Sequence, residues 1–351
     1  MRYTTFGRNN GLRVSEYGLG TGNFGTRWGA GAEPAEARKM FDRFAEAGGT
    51  LLDTADNYQA GQAEELLGEF MGAERDRFVV AGKYGNNGVG PRDVTNTGNS
   101  RKHLFQAVEA SLKRLGTDYL DVLWAHAPDD LTPIEEILRG FDDLVSAGKI
   151  RYGALSNFPA WRVSRAVTLA ELRGWSPVVG IQVEYSLVDR TAERELLPMA
   201  QSLGLGAALW GPLGGGLLTG KYRKGDGGRL SDLKILVHTE DSAQKTAVVD
   251  AVLDVATELG VPASQVAVAW MREKGARAAT AYVPIIGPRS LAQLDDYLGA
   301  LEVTLTPAQF ARLEEVSAVR LGTPHELNAW NLAGIRGGDA SAVDAPAIPV
   351  A

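Results

Sequence analysis

Thr50-Leu51-Leu52-Asp53, Phe78-Val79-Val80-Ala81-Gly82-Lys83 and Tyr119-Leu120-Asp121-Val122-Leu123-Trp124-Ala125-His126 are three short, mainly apolar runs, each ending on a residue able to do chemistry. Between and beyond such runs lie longer stretches with the 3.6-residue period of amphipathic helices. This alternation is the sequence form of repeated βα units around a parallel sheet. Eight units can be traced, the other strands reading as Tyr17–Gly20, Arg151–Ser156, Gly180–Glu184, Gly206–Gly211 and Val283–Gly287. Ahead of them, Tyr3–Phe6 and Leu12–Val14 around Asn9-Asn10-Gly11 read as a hairpin. The expected fold class is α/β: a (β/α)8 TIM barrel with an N-terminal β-hairpin and a C-terminal extra helix, one domain over 1–334. The Gly/Ala/Asp-rich stretch 335–351 is expected to fray.

The helical stretches carry independent support. Leu104, Val108, Leu112 and Leu115 share one face, as do Ile134, Leu138, Phe141 and Val145. Thr132-Pro133-Ile134-Glu135, Ser290-Leu291-Ala292-Gln293 and Thr306-Pro307-Ala308-Gln309 each read as a capping box, the first and third with proline at the first helical position. Tyr222 to Asp241 is polar and reads as a mobile excursion after the seventh strand.

Composition narrows the function. The 351 residues are 44% hydrophobic and 23% charged, with no apolar run long enough to span a membrane. Met1 to Asn10 lacks the apolar segment of a secretory signal and cysteine is absent, so a cytoplasmic location is expected, without disulfides, thiolate metal sites or cysteine nucleophiles. A formal charge of -7 argues against nucleic acid as a partner. No membrane partner is expected either; the partner should be a small molecule.

Two motifs mislead. Gly20-Thr21-Gly22-Asn23-Phe24-Gly25 spells G-x-G-x-x-G, but Thr26 to Glu33 continues as glycine-rich loop where a dinucleotide fingerprint needs a helix. Gly215 to Lys221 spells G-x-x-x-x-G-K, yet Tyr222 follows where a Mg²⁺-binding hydroxyl is required. Both remain glycine-rich loops whose backbone N–H groups suit a phosphate.

Asp53, Lys83 and His126 end consecutive predicted strands, with Tyr58 in the loop just after Asp53. Strands in a parallel barrel lie about 4.8 Å apart, so three such ends gather within about 10 Å on the face where barrel enzymes place their active sites. Tyr58 can give a proton to a carbonyl oxygen if a nearby cation eases its loss, and Lys83 is that cation. Asp53 would pair with the lysine, and His126 would hydrogen-bond the substrate oxygen. Histidine and carboxylate do not cluster at metal spacing, and no metal is expected. Taken singly each residue has an ordinary structural explanation; their joint placement does not.

At these residues the chain resembles the aldo-keto reductases, in particular the bacterial branch related to potassium-channel β-subunits and sugar-modifying reductases. The resemblance rests on Gly49 to Tyr58, Glu64-Glu65-Leu66-Leu67-Gly68, Ser100-Arg101-Lys102-His103 and Leu115 to Asp121. It extends through Ser156-Asn157-Phe158, Gln182-Val183-Glu184-Tyr185-Ser186, Pro212 to Lys221 and Ile285-Ile286-Gly287-Pro288-Arg289. It implies a catalytic tetrad of Asp53, Tyr58, Lys83 and His126, hydride from a nicotinamide, and NADPH as cofactor. By the same resemblance Ser156, Asn157 and Gln182 would hold the carboxamide and Trp210 would stack on the nicotinamide ring. The loop from Gly211 through Pro212, Leu213 and Gly216 to Lys221 would wrap the pyrophosphate, with Gly22 and Gly287 alongside. Arg289 and Gln293 would reach the adenosine half, where no acidic residue between Gly287 and Gln293 opposes a 2′-phosphate.

The implied function is reduction of an aldehyde or ketone to an alcohol, or the reverse. Ala127, where relatives carry a larger side chain, together with Phe24, Trp28 and Tyr84, is expected to line a pocket for bulky or flat carbonyl substrates. Gly211 stands where relatives usually have a serine, and Tyr297 where many have an asparagine. Ser156 to Trp161 and Asn328-Ala329-Trp330 look like nucleotide-sugar reductases of secondary metabolism, a second enzyme reading. A cofactor-sensing regulatory subunit is the reading from another class.

Overall fold

The computed structural model of the protein describes residues 1–86, 93–224 and 238–350. Its strands are β1 (Tyr3–Thr5), β2 (Arg13–Ser15), β3 (Gly18–Gly20), β4 (Leu51–Asp53), β5 (Val79–Tyr84), β6 (Leu120–Ala125), β7 (Ile150–Ser156), β8 (Val178–Glu184), β9 (Gly206–Trp210) and β10 (Tyr282–Ile286). From β3 to β10 they pair in sequence order, all parallel, and β10 closes on β3. The eight-stranded barrel expected from the sequence is thus present. Helices α1 (Pro34–Glu46), α2 (Gln62–Met71), α3 (Arg101–Leu115), α4 (Ile134–Ser146), α5 (Ala160–Arg173) and α6 (Leu196–Leu203) follow the first six barrel strands. After β9 come α7 (Ala243–Leu259) and α8 (Ala263–Ala276); after β10 come α9 (Leu291–Gly299), α10 (Pro307–Val316) and α11 (His325–Ile335). Among the described residues no helix is long and apolar enough to cross a membrane.

Because side chains alternate along a strand, every second residue points into the barrel. The lower inward positions are apolar: Leu51, Ala81, Val122, Trp124, Ala154, Ala208, Val283 and Ile285 form one buried cluster. Two residues further along β4 and β5 the same face carries Asp53 and Lys83. A dry floor therefore lies under a polar upper layer.

The hairpin β1–β2 seals the lower end. Phe6 and Val14 join the interior cluster, and the Phe6 ring meets Trp124 edge-on at 6.1 Å. A Cβ on Gly180 would stand 2.5 Å from the Phe6 ring and one on Gly206 2.8 Å from it, so both strands need glycine where the ring passes. This is close approach, not backbone freedom.

The helix starts differ from one another. Thr306 forms both halves of its capping box with Gln309, whereas Ser290 accepts from the Gln293 N–H while the Gln293 side chain accepts from Arg289 instead. The capping box expected at Thr132 is absent. Pro133 takes the cap position, and the Thr132 hydroxyl donates to Asp129 at 2.7 Å before it can turn toward the helix. Of the excursion expected over 222–241, residues 225–237 lie outside the described residues; its neck is tied by Arg223, which donates to both oxygens of Glu240 at 2.7 and 2.6 Å. Past α11, Arg336 donates to the carbonyls of Ala340 and Val343 around a short 3-10 turn.

Truncating Phe6 to alanine should cost about 3 to 5 kcal/mol in urea denaturation. Gly206→Val should also destabilise, and the double variant should recover part of the loss because the new side chain fills the space the ring leaves. A Gly206→Val variant as stable as the parent would show that the ring does not need the notch.

Candidate active site

Lys83 is 1% exposed, and an ammonium taken out of water requires a counter-charge and hydrogen-bond acceptors. It has both. Its Nζ donates to Asp53 Oδ2 at 2.5 Å and to the Thr54 carbonyl at 2.9 Å, and the other oxygen of Asp53 accepts from Gln182 Nε2 at 2.7 Å. Burial pulls the Lys83 pKa down, but Asp53 and the Tyr58 hydroxyl outweigh it and hold the ammonium above the ordinary lysine value. The Tyr58 ring centroid lies 4.7 Å from Nζ. Three of the four expected residues are thereby in one contact group.

The fourth closes it from the side. His126 directly follows β6, its N–H donates to the Tyr84 carbonyl, and its ring meets Tyr58 edge-on at 5.9 Å. Burial and then the Lys83 charge push its pKa down to about 3, so the imidazole is neutral near pH 7. Its Nδ1 is buried with no hydrogen-bond partner among the described residues.

Tyr58 is held by a residue the sequence reading passed over. Gln59 adopts a left-handed backbone, φ 50°, unusual for a side chain other than glycine, and is nearly buried. Its amide donates to the carbonyls of Gly22 and Ala30 and accepts from the Trp28 N–H, tying the 21–33 loop over the tyrosine. Trp28 then stands edge-on to Tyr58 at 6.1 Å, 43% exposed. A Cβ on Gly22 would lie 3.7 Å from the Tyr58 ring.

Around the opposite rim, Asn157 has φ 59° and spans three strand ends. Its Nδ2 donates to the His126 carbonyl at 2.9 Å and to Ser156 Oγ at 3.0 Å, while its Oδ1 accepts from Trp210 Nε1 at 3.2 Å. The half-buried indole of Trp210 is thus fixed in orientation. Beyond it, Gly211-Pro212-Leu213 leads into 3-10 turns over Gly214–Thr219, with Gly211, Gly214, Gly215 and Gly216 all left-handed. Such a run curls the backbone into a concavity suited to anions. The Lys221 side chain lies across Gly216, where a Cβ would come within 2.9 Å of it. Gly287 follows β10 and its carbonyl accepts from Asn23.

Two expected pocket residues are elsewhere. Phe24 is fully buried against Phe70, and Tyr84 is 1% exposed between His103 and Phe141. Strand parity explains the second: Lys83 points into the barrel, so Tyr84 points outward into the helix layer. Neither lines the site; Trp28 stands against Tyr58, and Ala127 directly follows His126 in the chain.

The segment from Gly287 to Gln293 has no acidic residue of its own, but the fold brings one to it. Glu36, from α1, accepts the Leu291 N–H at 2.7 Å, placing a carboxylate at the start of α9. This bond leads the effects that hold the Glu36 pKa below the usual carboxylate range. A second unforeseen pair sits beside Gly211. His238 Nε2 lies 2.9 Å from Glu184 Oε1, a hydrogen bond that raises the histidine pKa, with Asp189 close by. Both pairings join residues far apart in sequence.

A polar constellation of this kind, at the C-terminal ends of barrel strands, lies where barrel enzymes place their active sites, and the similarities of the chain give the class of chemistry. A family model described as the Aldo/keto reductase family matches residues 16–318. The chain is 35% identical over 339 residues to the uncharacterized oxidoreductase YrpG of Bacillus subtilis, covering 94% of this chain and all of the relative. It is 34% identical over 341 residues to the aryl-alcohol dehydrogenase [NADP(+)] of Phanerodontia chrysosporium, covering 90% and 86% of the two chains. It is 32% identical over 323 residues to the norsolorinic acid reductase of Aspergillus flavus, covering 90% and 80%. The chain belongs to the aldo/keto reductase family. It is an oxidoreductase of carbonyl and alcohol groups, in a family that works with nicotinamide cofactors.

Replacing Asp53 by asparagine should strand the Lys83 charge and cost about 3 to 5 kcal/mol of stability. Adding Lys83→Met should return much of that loss, a strongly non-additive pair in a double-mutant cycle. Additive losses would mean that the two side chains are not each other's main partner.

Proposed function

We propose that this enzyme uses NADPH to reduce an aldehyde or ketone borne on an aromatic or similarly flat group, with Tyr58 as proton donor. The carrying observation is the sealed Lys83–Asp53 pair beneath the Tyr58 ring, beside a histidine kept neutral. When bound, the dihydronicotinamide supplies the hydride. As negative charge develops on the carbonyl oxygen, the Tyr58 hydroxyl gives up its proton, and the fixed ammonium stabilises the phenolate left behind. The neutral His126 offers an N–H to the same oxygen and so fixes the carbonyl. Asp53 keeps Lys83 charged and in place.

The residues present suit the cofactor. The left-handed glycine turns after Gly211, with Lys221 across them, supply N–H groups and a cation for a pyrophosphate. The Trp210 face is oriented by Asn157, and Ser156, Asn157 and Gln182 are within one rim for a carboxamide. One N–H of Gln182 is given to Asp53, leaving its second N–H and its carbonyl oxygen to offer. Support for an aromatic substrate comes from the exposed Trp28 ring against Tyr58, the small Ala127 beside His126, and the aryl alcohol in the name of the Phanerodontia relative.

Tyr58→Phe should lose nearly all turnover of an aryl aldehyde while binding NADPH as the parent does, measured by fluorescence quenching. Wild-type kcat in that variant would remove the proton-donor assignment. For the cofactor, Arg289→Ala should weaken NADPH roughly ten- to a hundredfold, the value of a charge-assisted contact to the 2′-phosphate, and leave NADH nearly unchanged. Glu36→Gln should act in the opposite sense, strengthening NADPH relative to NADH. Equal effects on both cofactors would place the 2′-phosphate elsewhere.

A further inference from the structure

Beside Lys83 lies a second set of buried charges that the reaction above leaves unused. Asp56 is 2% exposed and Glu64 is fully buried. The Asp56 N–H donates to the Lys83 carbonyl at 3.1 Å, fastening it to the residue that carries the ammonium. Glu64, on α2, accepts from Arg114 Nε of α3 at 2.6 Å, and Arg114 also donates to Ser111. Both oxygens of Asp56 and Oε1 of Glu64 are sealed from solvent with no hydrogen-bond partner among the described residues.

The charges do not balance if all are ionised. Asp53, Asp56 and Glu64 are three carboxylates against two cations, Lys83 and Arg114. Asp53 is committed to Lys83 and Gln182, and Glu64 to Arg114. Asp56 is left with no cation of its own, and a buried unpaired carboxylate takes up a proton in preference to remaining charged. Protonation removes the charge that burial penalises at Asp56 and leaves the Glu64–Arg114 pair intact.

We infer that Asp56 is a protonated carboxylic acid in the working enzyme and serves as a positioning residue that leaves Lys83 with Asp53 as its single counter-ion. The kinetic part rests on Tyr58 as proton donor; the protonation does not. The groups facing Asp56 are Glu64 from α2, Arg114 from α3 and Lys83 from β5. Burial first and the Glu64 charge second push its pKa up to about 8, against the pull of Arg114 and Lys83. Above that pH a second negative charge appears near Lys83 and weakens the field that favours the Tyr58 phenolate.

The sign of the linkage is fixed. The unfolded chain releases the Asp56 proton near pH 4, the folded chain near 8. Between these values the folded state binds more protons, so stability falls as pH rises through that window and levels off above it. The carboxamide of the Asp56→Asn variant has no such proton to lose. In thermal melts the Tm of Asp56→Asn relative to wild type should rise steadily from pH 5 to pH 8 and then stay constant. In wild type a protonated-carboxyl carbonyl band in the infrared should disappear near pH 8, a reading that needs no variant. In steady-state reduction, wild-type kcat should drop roughly tenfold or more across pH 8, since one unit charge about 12 Å away at an effective dielectric near 20 already amounts to a factor of about ten. Asp56→Asn should lack that step.

A Tm difference between variant and wild type that is flat with pH, or a wild-type spectrum without the band at pH 7, would overturn the protonation. A step near pH 8 unchanged in Asp56→Asn would overturn the positioning role. Failure of the Tyr58→Phe test would remove the kinetic argument alone and leave the melts and the spectrum to decide the rest.

Discussion

The site is organised by one constraint: an ammonium group enclosed in a barrel must never be without its counter-ion. Lys83 meets it through Asp53 on the neighbouring strand, and Asp53 is steadied by Gln182 from the opposite side of the barrel, four strands away. That bond crosses the interior. It ties the two halves of the sheet at the level where the dry floor gives way to polar side chains. A slip of one residue in β4 or β5 would turn Asp53 or Lys83 into the helix layer and leave the other unpaired. Barrel register and placement of the candidate catalytic groups are therefore one structural requirement.

Around this fixed pair the rim is assembled by side chains acting as struts. Gln59 fastens the 21–33 loop above Tyr58, and Asn157 joins the ends of β6, β7 and β9. His238 and Glu184 do the same beside the glycine turns that follow β9. Gln59 and Asn157 hold left-handed backbone conformations at some cost, and each makes three side-chain hydrogen bonds in return.

What the sequence disclosed and what it hid follow from the range of the interactions. The eight strands could be read because burial and alternation are local, and Asp53, Lys83 and His126 because each ends such a run. Parity counted from Lys83 would also have turned Tyr84 away from the pocket, so that misplacement was avoidable. Thr132 fits the pattern of a helix cap, and only the fold shows Asp129 taking its hydroxyl. Glu36 at Leu291, His238 at Glu184 and Glu64 at Arg114 join positions 50 or more residues apart. No periodicity signals such pairs, and these are the contacts that set the charge around the rim and beneath it.

The hairpin that drives Phe6 into the barrel floor sets stability and chemistry at opposite ends of the same strands. With Phe6 and Val14 packed on the apolar interior layer, the polar groups at the level of Lys83 stand on the side away from the plug. A side chain altered at the plug can reach those groups only through the strands that run between the two ends.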